Sequence, residues 1–397
     1  MLRIALISTY GVRCGIATYS SHLVEQLSKN HEVTVFAEDY QDNRQSGFHP
    51  DVKVLRCYNR KSPSDRLVRC LKRNHFDIVH IQHEYGIFSN MQRQLLNIAG
   101  NNPGTTFLTS HTVNSLDTQF DLRRCADRII VHNELGKRHL TQECGLRDDT
   151  VQVIPHGTLL LPPISKEVAR LRLGLPPHDR IVLTHSFIER RKNLDIVMSA
   201  VAEFQGETPT HYIHSGSLHP YANTEEHAYA ESLKVLPEAL GIGPLVHIID
   251  RFIPDDELAY YLSATDIIVV LEKTSYPELR ASGIMHTTVP GSVIVASNIS
   301  EFDEFPDDTV YKVEINKEAL VNAMREIFSK PALAHSLANN LLRYAKVSSW
   351  ENVAEHHIAA YQDALSPRCK TVQRKTTDVP KGKKQVAVSK HMTISSN

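Results

Sequence analysis

RIALISTYGVRCGIATYSSHLVEQLSKNHEVTVFA, residues 3–37, decides the fold. Residues 3–8 are a short apolar run of the kind that forms a strand covered on both faces, and a glycine-bearing loop follows. Residues 17–29 then space their apolar side chains as a helix does, and residues 31–37 return to a β-branched run. Strand, loop, helix and strand in that order make a parallel unit. The rhythm continues with strand candidates at 52–57, 77–82, 105–110, 128–132 and 151–154. After the break LLLPP at 159–163 it restarts, with candidates at 180–187, 211–214, 246–249, 267–271, 292–296 and 309–313. The chain therefore reads as α/β, two Rossmann-like doubly wound domains whose binding loops, at the carboxyl ends of the strands, share a central cleft.

Length and charge agree with that division. The 397 residues suit two domains, each large enough for its own core. Lys plus Arg number 44 and Asp plus Glu 45, a formal charge of -1, so the field that holds a general nucleic-acid binder on phosphates is missing. The six cysteines are scattered without a CxxC pair, as expected of reduced thiols in a cytoplasmic protein. The opening MLRIALISTYG meets turn residues too early for a signal peptide. No apolar stretch approaches the length that spans a bilayer, so any membrane contact would be peripheral. Beyond Ser366 the chain holds eight basic residues, one acid and almost no large apolar side chain, the composition of a disordered basic tail that anionic lipid or an acidic partner would attract.

Chemistry is expected on the loops. In STYGVRCGIATYS, Gly11 and Gly15 lead into a helix, where backbone N–H groups and the positive end of the helix dipole suit a phosphate or a sugar hydroxyl; the spacing is not GxGxxG, which disfavours a redox dinucleotide. His80 and His83 sit near the end of another strand, but residues three apart on a strand face opposite sides and make a poor metal pair. His111 ends the strand in LTSHTV, placed to meet a sugar, phosphate or acceptor oxygen. In THSFIERRKNL, Arg190, Arg191 and Lys192 precede a helix opening at Asn193, a set suited to a diphosphate leaving group. The segment DIIVVLEKTSYPELRASGIMHTTVPGSVIVAS, 266–297, adds a carboxylate at Glu278, a helix expected to start at the Ser282–Gly283 step, and His286 one turn in. Such a helix N-terminus would hold donor phosphates while Glu278 bonded sugar hydroxyls.

Taken in order, GIATYSSHL, SHTV, VIPHG at 153–157, RKN, VHIIDRFIPDDELAYYLSATDIIVV, GSVIVAS and SWENVAEHHIAAY make the chain resemble the retaining glycosyltransferases of the GT-B fold, family 4, up to about residue 365. The resemblance implies an acceptor-side domain over 1–164, a nucleotide-sugar-binding domain over 165–345, a C-terminal helix over 346–365 packing back on the first, and the tail over 366–397. It implies transfer of a hexosyl unit from a UDP- or GDP-sugar to a glycan or glycolipid, with no cofactor, no nucleic acid and no metal, in keeping with the lack of a DxD motif. His111, Glu278 and Lys192 take the catalytic roles, and Gly15, Arg190, Arg191, Ser282, Gly283 and His286 bind the donor. The sequence departs from the family pattern in two places: His286 stands where a second glutamate is usual, with Val293 for a proline, and Ser186 and Phe187 stand for Gly-Arg. The HEYGIF stretch at 83–88 resembles a variant subgroup. The rival reading, motivated by the same departures, is an inactive relative that binds nucleotide or serves as a scaffold.

Overall fold

The computed structural model describes residues 1–12, 14–39, 52–61, 65–113, 122–219, 222–274, 279–280 and 283–366. Two parallel sheets organise it. The first contains β1 (Arg3–Ser8), β2 (Glu32–Glu38), β3 (Lys53–Tyr58), β4 (Ile78–His83), β5 (Thr105–Ser110), β6 (Arg128–Val131) and β7 (Val151–Val153), in the order β3-β2-β1-β4-β5-β6-β7. The second contains β8 (Arg180–His185), β9 (Thr210–Ser215), β10 (Val246–Ile249), β11 (Ile267–Val270), β12 (Ile294–Ser297) and β13 (Tyr311–Val313), in the order β10-β9-β8-β11-β12-β13.

Both sheets are covered on both faces, which is why their strands read as continuous apolar runs. One face of the first sheet packs Phe36, Phe76 and Ile81 against Phe88, Met91 and Leu95. The other packs Leu6, Val35 and Phe107 against Tyr19 and Leu23 of the Gly15–Leu27 helix and Trp350 and Tyr361 of the Trp350–Leu365 helix. In the second sheet the two faces carry Val197, Val201 and Met324 on one side and Leu258, Leu262 and Phe302 on the other.

Strand order reverses direction between β1 and β4 in the first sheet and between β8 and β11 in the second. At such switch points the loops diverge and leave a crevice at the carboxyl ends. The chain returns to the first sheet through the Pro331–Val347 helix, after which Thr158 donates its amide to the Ser348 carbonyl at 2.7 Å and the Ser349 hydroxyl caps the Trp350–Leu365 helix. Gly157 lies directly under Trp350: a Cβ there would fall 2.3 Å from the indole.

Candidate active site at the facing sheet edges

The first rim is built from the carboxyl ends of β4, β5 and β6. Parallel pairing sets Gln82 beside Thr109 and His83 beside Ser110, and the next residue, His111, donates its amide to the His83 carbonyl at 3.0 Å. His80 and His83 lie on opposite faces, the former against Phe107 and Tyr361, the latter against Tyr85 and Phe88. Side-chain contacts then run laterally. His80 Nδ1 is 2.6 Å from the Tyr361 hydroxyl and its Nε2 is 2.7 Å from Thr109 Oγ1. The Gln82 amide bridges His80 Nε2 at 3.3 Å and His111 Nε2 at 2.8 Å. His111 Nδ1 is 3.3 Å from His132 Nε2, and His132 Nδ1 is 3.2 Å from the Ile154 carbonyl. Tyr19 stands edge-on beneath them, its ring 4.6 Å from that of His111 and 4.8 Å from that of Trp350.

Burial sets the charge of this rim. It pushes His80 and His111 well below the ordinary imidazole value, with neighbouring histidines adding to the effect, and it lowers His132 to about 4. The rim is a neutral hydrogen-bonded wall at pH 7. Gly15 opens the adjoining helix, exposed, with empty space where a Cβ would stand.

The second rim is ionic. After β8 the chain passes Ser186 and Phe187 into a single 3₁₀ turn, Arg190–Lys192, and Asn193 adopts a left-handed φ of 50° before the Leu194–Glu203 helix. The Asn193 side-chain NH₂ donates to the Leu271 carbonyl at 2.7 Å, and Lys273 donates its backbone N–H to the Arg191 carbonyl at 2.9 Å, so the turn is bound to the loop after β11. Across that seam lies Glu272. Its buried carboxylate accepts from the Lys192 ammonium and, at 2.7 Å, from the Arg191 guanidinium, which also reaches Glu189 at 2.6 Å. Burial lowers the Lys192 pKa, only partly offset by Glu272. Burial acts against Arg191 too, but the Glu272 and Glu189 carboxylates outweigh it and its pKa is raised. Arg190 is exposed and lies over the Tyr229 ring at 4.9 Å.

The sequence-derived candidates are thus distributed unevenly. Arg191 and Lys192 come together on one carboxylate, while Arg190 turns to an aromatic face. Glu278 and Ser282 lie outside the described residues; Gly283 is exposed and open. The helix expected after Ser282 is instead one 3₁₀ turn, Gly283–His286. The β-branched run Thr287, Thr288 and Val289 followed by Pro290 stops it, and Thr287–Thr288 pairs instead with Leu159–Leu160. A turn of that length carries little of the dipole invoked for phosphate binding. His286 is 2% exposed, its ring stacked on His156 at 4.3 Å and its Nε2 3.3 Å from Glu304 Oε1.

A second ladder joins the rims: Thr112–Val113, next after His111, runs antiparallel to Leu279–Arg280, next after Glu278. Sequence reading missed Gln82, His132 and Glu272. All three stand at or just beyond the carboxyl end of a strand, which is the one signal that could have found them.

Residues 14–158 match the model of Glycosyltransferase Family 4. The D-inositol 3-phosphate glycosyltransferase of Acidothermus cellulolyticus is 26% identical over 257 residues, covering 62% of this chain and 56% of that protein; the chain spans about half the length of the curated relatives it matches. Among solved structures, sucrose-phosphate synthase from Thermosynechococcus elongatus is similar at a TM-score of 0.71 and 21% identity, over 92% of this chain and 99% of that one. HepE from Anabaena in complex with UDP-glucose is similar at 0.69 and 16%, over 92% and 100%. These likenesses establish the GT-B fold of two facing Rossmann-like domains.

Proposed function

From the GT-B fold and the match of residues 14–158 to the model of Glycosyltransferase Family 4, we propose a retaining glycosyltransferase that moves a hexosyl unit from a UDP- or GDP-sugar to a glycan or glycolipid. The observation that supports it most directly is the ladder of Thr112–Val113, next after His111 in the chain, with Leu279–Arg280, next after Glu278. In this reading the donor diphosphate lies along the second rim, at Arg190, Arg191, Lys192 and the turn 282–283, with His286 toward the ribose side. Glu278 positions the sugar, and Gly15 and His111 close over it from the first rim. An oxocarbenium-like transition state leaves negative charge on the diphosphate, which the cations stabilise, and the departing phosphate takes the proton of the acceptor hydroxyl. Neither a metal nor a cofactor is assigned a role. The scattered cysteines, with no CxxC pair, suit a cytoplasmic setting, with any membrane contact peripheral through the basic tail. Among the described residues no helix is long and apolar enough to cross a membrane.

A panel of nucleotide sugars, scored by thermal shift and by slow release of free nucleotide, tests the proposal. One donor should raise the melting temperature and be turned over, and Glu278→Ala should abolish turnover. Proton NMR of the product should show the donor's anomeric configuration, and chelator should leave the rate unchanged. The second reading, an inactive nucleotide-binding or scaffold relative, draws on Glu272 and Glu189, which already occupy Arg191 and Lys192. Stabilisation by nucleotide without turnover of any donor would favour it.

A further inference from the structure

The hydrogen bonds of His111 and His132 have a single neutral solution. A carbonyl only accepts, so His132 Nδ1 must donate to Ile154, and the Nε2 of a neutral His132 is then a lone pair. His111 Nδ1, 3.3 Å away, must therefore carry the proton and donate to it. That leaves His111 Nε2 as an acceptor. Its partner at 2.8 Å is the Gln82 amide, which can present either its oxygen or its NH₂ there by a half-turn about its last torsion. Only the NH₂ satisfies the ring. The amide oxygen then faces His80 Nε2, whose nearer partner is the Thr109 hydroxyl at 2.7 Å; an N–H there serves both oxygens, and the Tyr361 hydroxyl then donates to His80 Nδ1 at 2.6 Å. The opposite amide orientation sets two imidazole lone pairs against each other between His111 and His132, an arrangement that holds only if an extra proton enters a site where burial disfavours charge.

We infer that Gln82 and His132 are positioning residues, which together hold His111 in one tautomer, Nδ1–H, and one ring orientation at the cleft. The inference rests on the reading of His111 as a cleft residue of the proposed transferase. It also sharpens that reading. Both ring nitrogens of His111 are engaged within the protein, so His111 acts as a fixed neutral wall that shapes the sugar site, and it neither gives nor takes a proton during transfer.

The tautomers are measurable without any donor, by two-bond nitrogen–proton correlation spectra of histidine-labelled protein at pH 7, with rings assigned through single histidine substitutions. Wild-type protein should show His111 and His132 as neutral Nδ1–H rings and His80 as a neutral Nε2–H ring. Gln82→Glu, whose carboxylate only accepts, should drive a proton onto the His111–His132 pair and register as an imidazolium. Gln82→Leu should lower kcat for donor turnover about 10–100-fold with KM for the donor within about twofold, the split expected when geometry and not ground-state binding is lost. A wild-type His111 found as Nε2–H or as imidazolium overturns the proposal, and so does a Gln82→Leu protein that folds and keeps its kcat. Absence of turnover in the wild type would count against the transferase alone, since the tautomer pattern stands apart from it.

Discussion

The two rims share a topology and differ in how they meet burial. Each stands at the carboxyl ends of a parallel sheet next to a switch point, and each buries its central polar groups: His80, Gln82 and His132 in one, Lys192 and Glu272 in the other. The first keeps its titratable groups neutral and satisfies them in a lateral hydrogen-bond chain from Tyr361 to Ile154. The second keeps its groups charged and cancels them, Lys192 and Arg191 against Glu272 and Glu189. A neutral rim is stable on its own and sensitive to protons. A compensated ionic rim is stable only while its partners are intact, and an anionic ligand must compete with its carboxylates.

The largest effect should come from breaking the ionic rim. Glu272→Ala leaves the buried Lys192 ammonium without its counter-charge, and the expected loss is about 3–5 kcal/mol in urea unfolding. Replacing both partners, Lys192→Met with Glu272→Leu, should recover most of that loss, because two apolar side chains have no desolvation to offset. A loss under about 1 kcal/mol in the single variant would show that the pair is held by the fold instead of helping to hold it.

Acid should test the buried neutral histidines next. Buried histidines with folded values below the ordinary 6.5 bind protons only when the chain unfolds, so their stability contribution is complete above pH 6.5 and is lost as pH falls toward the folded values. Those values are about 4 for His132 and His357 around the first sheet, and about 4 for His185 in the second. Each buried imidazole of this kind contributes on the order of 2–3 kcal/mol across the window from pH 6.5 to 4. Unfolding free energy measured by denaturant should therefore drop steeply over that window, and His132→Asn should flatten the slope. A slope unchanged in the variant would mean that His132 is already charged in the folded protein.

Gly157→Ala tests the joint that both rims lean on. The added methyl collides with the indole, so Trp350 and the start of the C-terminal helix must shift, at about 1–3 kcal/mol. Trp350 is the single tryptophan of the chain, and its emission should move to longer wavelength as the ring leaves its place between Tyr19, His22 and His156. Unaltered emission would mean that the backbone at 157 yields instead.

Much of this was legible in the chain. Parallel strands covered on both faces lack polar alternation, so the runs at 3–8 and 180–187 announce themselves, and the sheet edges that follow locate the site. The partners across each edge were not legible. Gln82, His111 and His132 meet because β4, β5 and β6 are neighbours in register, and Glu272 meets Lys192 although they are 80 residues apart. No local periodicity encodes such pairings. His286 shows the converse failure: its neighbourhood carries a helical cue in Ser282–Gly283, but the Thr-Thr-Val-Pro run that follows prevails and leaves a single turn.

The smallest expected effect on stability carries the most information about the second rim. Arg190, alone of the three consecutive cations, has no carboxylate partner among the described residues; it lies exposed over Tyr229. Removing an exposed cation–π contact costs about 0.5–1 kcal/mol, so Arg190→Ala should barely move the unfolding midpoint. If donor phosphates bind along this rim, the cation free of internal compensation is the one that gains most from them. A charge-assisted bond to phosphate is worth about 1.5–3 kcal/mol, which predicts a fall of roughly tenfold or more in nucleotide diphosphate affinity by calorimetry. Arg190→Lys should keep part of that affinity, since it retains the charge but not the planar fork. Unchanged affinity in Arg190→Ala would return the phosphate role to Arg191 and Lys192, and with it the requirement that Glu272 give way when the donor binds.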